Sequence, residues 1–187
     1  MPTSALRSVK IVVAGGFGVG KTTFVRSTSE IRPLSTEAPM TTLSAATDDT
    51  SHTGSKTTTT VALDFGRRTI DDDVVLYLFG TPGQKRFGFM WDNLARGAIG
   101  AIVLADTRRL RDCFPSLDFF EERGIPFVLA VNRFDDAPEY SSGDMRDALG
   151  LRPEIPLIRL DARDEQSSTA ALIELIEYRL RRQPTPA

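Results

Sequence analysis

The chain is poor in cysteine, histidine and tryptophan, with one of each in 187 residues. Its single cysteine, Cys113, cannot form an internal disulfide, which fits a reducing compartment. Lys and Arg number 23 against 25 Asp and Glu, so no basic excess favours a nucleic-acid partner. No apolar run reaches about 18 residues, and neither a signal-peptide core nor a common lipidation motif is present. The sequence therefore predicts a cytoplasmic protein without a direct membrane anchor.

The composition is that of one globular domain, with 41% hydrophobic and 26% charged residues. Residues 41–60 include 12 Ser or Thr, which leaves few side chains able to build a core. We therefore expect a long mobile loop at 31–56. The expected organisation is a single domain over 1–187, with its core at about 7–182 and a tail at 183–187.

Short β-branched runs alternate with amphipathic segments along the chain. Such alternation predicts an α/β fold, with a mostly parallel six-stranded sheet and helices on both faces. Two adjacent strands near 58–79 add one antiparallel strand at an edge. The strands are predicted at 9–14, 58–68, 73–79, 99–105, 126–131 and 156–160, and the helices from 21 and at 90–96, 112–123, 143–149 and 165–182. In such a sheet, ligands bind at the carboxyl ends of the strands.

A glycine-rich segment, Gly15–Thr22, follows the first strand and opens a helix. Its sequence GGFGVGKT fits the pattern G-x-x-x-x-G-K-[ST], so we call it the phosphate loop. Backbone N–H groups of such a loop surround phosphate oxygens, Lys21 reaches the β- and γ-phosphates, and Thr22 binds Mg²⁺. The residues predicted to contact nucleotide here are Gly15, Phe17, Gly18, Val19, Gly20, Lys21, Thr22 and Thr23.

A second motif, N-R-F-D at 132–135, follows the predicted strand at 126–131. Asp135 can accept hydrogen bonds from N1–H and N2–H₂ of guanine, whereas adenine would leave this carboxylate unpaired. Asn132 is expected to face the base and tie this loop to the phosphate loop. The aliphatic stem of Arg133 can cover the base. The motif thus predicts a guanine nucleotide.

With these motifs in place, the chain resembles a Ras-like small GTPase over about residues 7–182. The segments TVALDF at 60–65 and GTPGQ at 80–84 resemble switch I and switch II of that family. They are most similar to the bacterial branch, namely actinobacterial conservon GTPases and, more distantly, gliding-motility GTPases that partner roadblock-domain proteins. The resemblance implies a single G domain with the P-loop NTPase fold, binding GTP or GDP with Mg²⁺.

Further site residues follow from this resemblance. Thr60 stands where the family's threonine ligates Mg²⁺ and senses the γ-phosphate. Gly83 would donate its N–H to that phosphate, and Gln84 would orient the attacking water. Asp161, Ala162 and Arg163 stand where the family has S-A-K, and the Ala162 N–H would donate to guanine O6. The implied catalytic residues are Gln84, Lys21 and Thr60.

The chain departs from the family at the switch II aspartate, because Gly80 occupies its place. We expect Asp64, on the adjacent strand, to supply the missing carboxylate, so that the metal ligands are Thr22, Thr60 and Asp64. Asp106 is the second candidate, and either residue could instead be an ordinary surface or capping aspartate.

The sequence predicts a signalling switch that hydrolyses GTP slowly without a partner, because no arginine is marked as an intrinsic finger. An alternative is a nucleotide-dependent binding module with little hydrolysis, and a P-loop ATPase or small-molecule kinase has less support. The resemblance implies roadblock-domain and sensor-kinase-like partners, together with activating and exchange proteins. It leaves open the pathway, the regulators, the source of an arginine finger and the oligomeric state.

Overall fold

A computed structural model of the chain describes residues 7–40, 59–71, 74–83, 88 and 90–182. Seven strands are present in these ranges: β1 (Arg7–Gly15), β2 (Leu34–Met40), β3 (Thr59–Asp71), β4 (Val74–Gly80), β5 (Ala98–Ala105), β6 (Phe127–Asn132) and β7 (Leu157–Leu160). The helices are α1 (Lys21–Thr28), α2 (Trp91–Ala95), α3 (Phe114–Glu122), α4 (Ser142–Leu149) and α5 (Glu165–Arg181), with a 3₁₀ segment at Thr107–Cys113 before α3.

The described strands form one sheet in the order β2-β3-β4-β1-β5-β6-β7. Strand β3 runs antiparallel to both of its neighbours, while β4, β1, β5, β6 and β7 pair in parallel. The predicted α/β class, with one antiparallel strand and helices around the sheet, is confirmed. All six predicted strands are present, and a seventh, β2, lies outside β3 at the edge.

Strand β2 corrects the expectation of a mobile loop over 31–56. Residues 34–40 pair with β3 from Leu34 opposite Phe65 to Met40 opposite Thr59. The segment LSTEAPM has too few large apolar residues to mark a strand by itself, but the long β3 offers it a backbone edge. Pro39 is compatible with a strand at the edge of a sheet. The remainder of the predicted loop, 41–56, lies outside the described residues.

The core has two parts, one on each face of the sheet. Side chains of β1 alternate between them, because successive residues of a strand point to opposite faces. Ile11 and Val13 pack with residues of α1 and α5. Val12 and Ala14 pack on the other face with Trp91 and with residues of α3. This double burial explains the continuous apolar runs of the central strands.

The predicted helices are confirmed to within a few residues of their bounds. Among them, no helix in the described ranges is long and apolar enough to cross a membrane. Cys113 is buried at the start of α3, and burial raises the pKa of its thiol to about 12. Trp91 packs edge-on against Phe119 with ring centroids 5.3 Å apart, which makes it a core residue.

Candidate nucleotide-binding site

The phosphate loop leaves the carboxyl end of β1 through two backbone positions that favour glycine. Gly15 has φ of 132° and Gly20 has φ of 104°, values that L-residues rarely adopt. A Cβ on Gly15 would lie 2.4 Å from the Leu104 carbonyl oxygen, and one on Gly20 would lie 2.5 Å from Asn132 Nδ2. The glycines therefore permit both the turn and its close packing against β5 and β6.

Helix α1 differs from α4 and α5 in how its first turn is satisfied. Ser141 caps α4 by accepting from the Asp144 N–H, and Asp164 caps α5 by accepting from the N–H groups of residues 166 and 167. Helix α1 begins after Gly20 with no side-chain cap and no acidic residue in its first turn. Its first N–H groups are thus available to an anion, which the positive end of the helix dipole also favours.

Lys21 lies inside the phosphate loop rather than in solvent. Its side chain is buried, and Nζ donates to the carbonyl oxygens of Gly15 at 3.0 Å and Gly16 at 2.6 Å. Burial lowers the pKa of Lys21 to about 8, although the charge of Asp64 acts in the opposite direction. A phosphate would give this ammonium group a stronger acceptor than either carbonyl.

Asp64 lies beside Gly80, the residue at which the sequence lacks the aspartate expected in switch II. It lies opposite Gly80, because Phe65 of β3 pairs with Phe79 of β4. Thr22 Oγ1 donates to Asp64 Oδ2 at 2.6 Å. A Cβ added to Gly80 would lie 3.1 Å from Asp64 Cβ and 3.3 Å from Oδ2. A hydroxyl and a carboxylate therefore meet where the sequence predicted Mg²⁺, and both are oxygen donors suited to it.

The second candidate, Asp106, is used differently. It is 4% exposed, its carboxylate accepts from the Arg108 backbone, and it also receives the Arg108 guanidinium at 2.8 Å. Burial raises the pKa of Asp106, but the hydrogen bonds and charge of Arg108 outweigh burial and hold that pKa below its usual value. Asp106 caps the 3₁₀ segment and pairs with arginine, so the geometry favours Asp64 for the metal site.

Asn132 joins the loop at 132–135, here called the base loop, to the phosphate loop. It is 5% exposed, Nδ2 donates to the Val19 carbonyl at 3.0 Å, and Oδ1 accepts from the Ala162 N–H at 2.9 Å. The expected hydrogen bond from this N–H to guanine O6 is therefore not available in this arrangement. Asn132 Oδ1 competes for the same hydrogen, and the burial of both groups favours their pairing.

Asp135 lies at the mouth of a cavity of about 340 Å³ that reaches the phosphate loop through Gly18, Gly20 and Thr23. Its carboxylate is 82% exposed and lies 3.4 Å from Arg163 Nη2. Arg163 also donates to Asp161 at 2.7 Å, and this hydrogen bond lowers the pKa of Asp161 to about 2. Arg133 and Asp161 line the same cavity, so the structure brings the predicted base residues together.

The remaining predicted residues belong to the phosphate loop and to the segment that begins switch II. Phe17 is 65% exposed and Val19 is buried. A Cβ on Gly83 would lie 2.7 Å from Lys21 Nζ, so the start of switch II touches the phosphate loop. Gln84, Lys85 and Arg86 lie outside the described residues.

Thr60 and Asp64, two of the predicted metal ligands, lie apart along β3. Thr60 lies near the start of β3, four residues before Asp64, and its backbone pairs with Pro39 of β2. At a rise of about 3.3 Å per residue, the two positions lie about 13 Å apart along the strand. For Thr60 and Asp64 to hold one ion, the first residues of β3 would have to leave β2.

One contact to the phosphate loop was not predicted from the sequence. Arg109 Nη2 donates to the Phe17 carbonyl at 3.1 Å. Only the place of Arg109 in the chain could have indicated this contact, because the residue follows β5 and the carboxyl end of β5 lies beside that of β1.

The family model described as "Conserved hypothetical ATP binding protein" matches residues 13–182. The chain is 31% identical over 129 residues to uncharacterized protein MJ1339 of Methanocaldococcus jannaschii, an alignment covering 68% of this chain and 71% of that protein. It is 29% identical over 140 residues to a Ras and EF-hand domain-containing protein homolog of Caenorhabditis elegans, covering 70% of this chain but 19% of that protein.

A solved structure of the cytosolic domain of the T. maritima FeoB iron transporter, in a GDP form, has the same fold. The TM-score is 0.66 at 19% identity, with 96% of this chain and 66% of that chain covered. The chain thus spans less than two thirds of the FeoB domain and about a fifth of the Ras and EF-hand protein.

Proposed function

Since the chain belongs to the family described as conserved hypothetical ATP-binding proteins, we propose that it is a nucleotide-dependent switch, and that its nucleotide is GTP or GDP. Asn132 carries this proposal. Its amide links Val19 of the phosphate loop to Ala162 in the loop after β7, and Asp135 lies three residues further on at the cavity mouth. One buried side chain thereby fixes the position of the phosphate loop relative to the loop that carries the Asp135 carboxylate.

We prefer guanine to adenine for a chemical reason. The exposed Asp135 carboxylate offers only acceptors, and guanine presents two donors where adenine presents none. Arg163 is within 3.4 Å of Asp135, and at 59% exposure it can move aside for a base. The family description names ATP, and the names of more distant relatives include Ras, so the base is the first point to test.

Competition between GTP and ATP for a fluorescent GDP analogue tests the base directly. We expect GTP to compete at least 100-fold better than ATP, because the mismatched base would leave a carboxylate unpaired. Asp135→Asn should weaken GTP and strengthen XTP, whose C2 carbonyl can accept from the new amide. Asp147→Asn is the matched control, since Asp147 is exposed on α4 and does not line this cavity. Equal competition by ATP would overturn the guanine assignment.

We assign the metal to Thr22 and Asp64. Their 2.6 Å hydrogen bond supports this, because both oxygens already converge beside the phosphate loop. Mg²⁺ held there would neutralise charge on the β- and γ-phosphates. Two protein oxygens suffice, since Mg²⁺ keeps several waters and takes phosphate oxygens as well. Lys21 would exchange its bonds to the Gly15 and Gly16 carbonyls for phosphate oxygens.

We assign hydrolysis of GTP to GDP and phosphate to the same site. Gly83, against Lys21, is close enough to the phosphate loop for its N–H to donate to a γ-phosphate. Gln84, the next residue, would orient the attacking water. Without an arginine finger the rate should be low, since such a finger contributes about 10³–10⁵ in rate.

Single-turnover phosphate release from GTP-loaded protein tests this assignment, with Gln84→Leu as the variant. Release that is much slower in the variant supports a water-positioning glutamine. The position of Thr60, paired in β3 away from Asp64, supports the alternative of a binding module with little hydrolysis. Bound and uncleaved GTP in both proteins would favour that alternative.

Movement of Thr60 gives the switch its proposed output. Contact with the γ-phosphate would draw Thr60 from its pairing with Pro39, and hydrolysis would return it. A partner that binds β2 and the start of β3 would distinguish the two states. The narrower resemblance to conservon GTPases, and hence roadblock-domain and sensor-kinase-like partners, remains a prediction for binding assays with such proteins.

A further inference from the structure

The 3₁₀ segment Thr107–Cys113 approaches the phosphate loop at a kink. Arg109 lies within this segment with φ of −144° and ψ of 51°, which are not helical values. Its Nη2 donates to the Phe17 carbonyl at 3.1 Å and would lie 3.4 Å from a Cβ on Gly18. The guanidinium therefore lies against the Phe17–Gly18 peptide.

The hydrogen bond from Arg109 to the Phe17 carbonyl also fixes the direction of the Gly18 N–H group. Phe17 C=O and Gly18 N–H belong to one planar trans peptide, so they point in opposite directions. With the carbonyl directed at Arg109, the N–H of Gly18 is directed away from it. Gly18 lines the cavity of the proposed nucleotide site, whereas Arg109 does not. Arg109 thus contacts the Phe17–Gly18 peptide on the side that faces away from that cavity.

Among the described residues, Arg109 shares a carboxylate partner with Arg108. That carboxylate is Asp106, and Arg108 donates to it with bonds of 2.8–3.2 Å. Arg109 reaches the same carboxylate only at 3.8 Å. The Arg109 guanidinium, which carries a positive charge, therefore lies beside the loop that is proposed to hold phosphates.

We propose that Arg109 is a positioning residue for the phosphate loop. It holds the Phe17–Gly18 peptide so that the Gly18 N–H faces the β-phosphate and the groups beyond it, and its charge lies one peptide away from them. This inference rests on the proposed function. It concerns phosphate affinity and leaves base selectivity to Asp135.

The test compares nucleotide dissociation from the full chain, loaded with fluorescent GDP, in wild type, Arg109→Ala and Arg109→Lys. We expect Arg109→Ala to release GDP about 10-fold faster, the low end of the range for the loss of a hydrogen bond from a charged donor, because the Arg109 side chain is about half exposed. Arg109→Lys should be intermediate, because an ammonium keeps the charge without the planar donor geometry. Arg111→Ala is the matched control, since Arg111 is exposed in the same segment.

A second readout separates positioning of the phosphate loop from general loosening of the fold. Competition by GDP and GMP should show a larger loss for GDP in Arg109→Ala, because GMP has no β-phosphate. The ratio of GTP to ATP affinity should stay at the wild-type value. Equal losses for GDP and GMP, or unchanged GDP release, would overturn the role of Arg109 alone. Failure of the wild type to bind any guanine nucleotide would overturn the proposed function together with this inference.

Discussion

Exchanging residues 64 and 80 tests whether β3 has taken over the metal carboxylate from β4. The variants are Asp64→Gly, Gly80→Asp and the two changes combined. Since the two residues lie opposite each other, the exchange moves one carboxylate across a single strand pair. It also keeps the composition of the chain unchanged.

The expected magnitudes follow from the contacts. Asp64→Gly removes a hydrogen bond of 2.6 Å to an ionised acceptor. It also removes the carboxylate that is proposed to face the ion, and a charge-assisted contact of this kind contributes about 1.5–3 kcal/mol, so Mg²⁺ should bind about 10- to 100-fold more weakly. Gly80→Asp alone should not strengthen binding, because its Cβ would lie 3.1 Å from Asp64 Cβ and 3.3 Å from Oδ2. The combined variant should recover Mg²⁺ affinity to within about threefold of wild type if the recovered bond is equivalent.

The assay is the Mg²⁺ dependence of fluorescent GDP release, titrated from excess EDTA, which gives an apparent dissociation constant for the ion. Thermal unfolding without nucleotide serves as the control for folding, since glycine inside a strand weakens it by about 0.5–1 kcal/mol. A combined variant that binds Mg²⁺ no better than Asp64→Gly would refute the exchange. Unchanged Mg²⁺ dependence in Asp64→Gly would remove Asp64 from the metal site altogether.

Three further predictions concern the same site. Lys21 should take up about three quarters of a proton when GDP binds at pH 8.5, because its pKa is about 8 in the free protein and phosphate raises it. The affinity for GDP should therefore fall as the pH rises above 8. Calorimetry in two buffers of different ionisation enthalpy measures the proton uptake, and finding none would contradict this prediction. Asn132→Ala should weaken GDP about 10- to 100-fold, because it breaks two buried hydrogen bonds between the loops; equilibrium titration measures the loss, and a loss below threefold would contradict the bridging role. Gly83→Ala should weaken GTP about tenfold more than GDP, because its Cβ would lie 2.9 Å from Phe17 Cα, and the chain at residue 83 would have to withdraw from the place proposed for the γ-phosphate. Equal losses in competition assays would contradict that placement.

Periodicity predicted most of the fold because the central strands are buried on both faces and carry continuous apolar runs. Strand β2, at 34–40, could not be predicted from periodicity. An edge strand needs few apolar residues when its neighbour supplies the pairing, and that neighbour, β3, is distant in sequence. Its polar composition alone favours a loop.

The candidate site was predictable where a motif fixes local backbone, as in the phosphate loop and at Asn132. It was less so where partners compete for one atom. The Ala162 N–H had two possible acceptors, and the buried Asn132 Oδ1 takes it in this structure. Arg109 could not be distinguished from its neighbouring arginines by sequence, because only a kinked backbone brings its guanidinium to the Phe17 carbonyl.

Placing the carboxylate on β3 has a consequence for how strands β3 and β4 can move. Asp64 reaches Thr22 only in the observed register, with Phe65 opposite Phe79. A slip of one residue would turn Asp64 to the other face of the sheet, and a slip of two would carry it about 7 Å away. An ion held by Thr22 and Asp64 would tie β3 to the start of α1, so β3 could not slide along β4 without losing the metal.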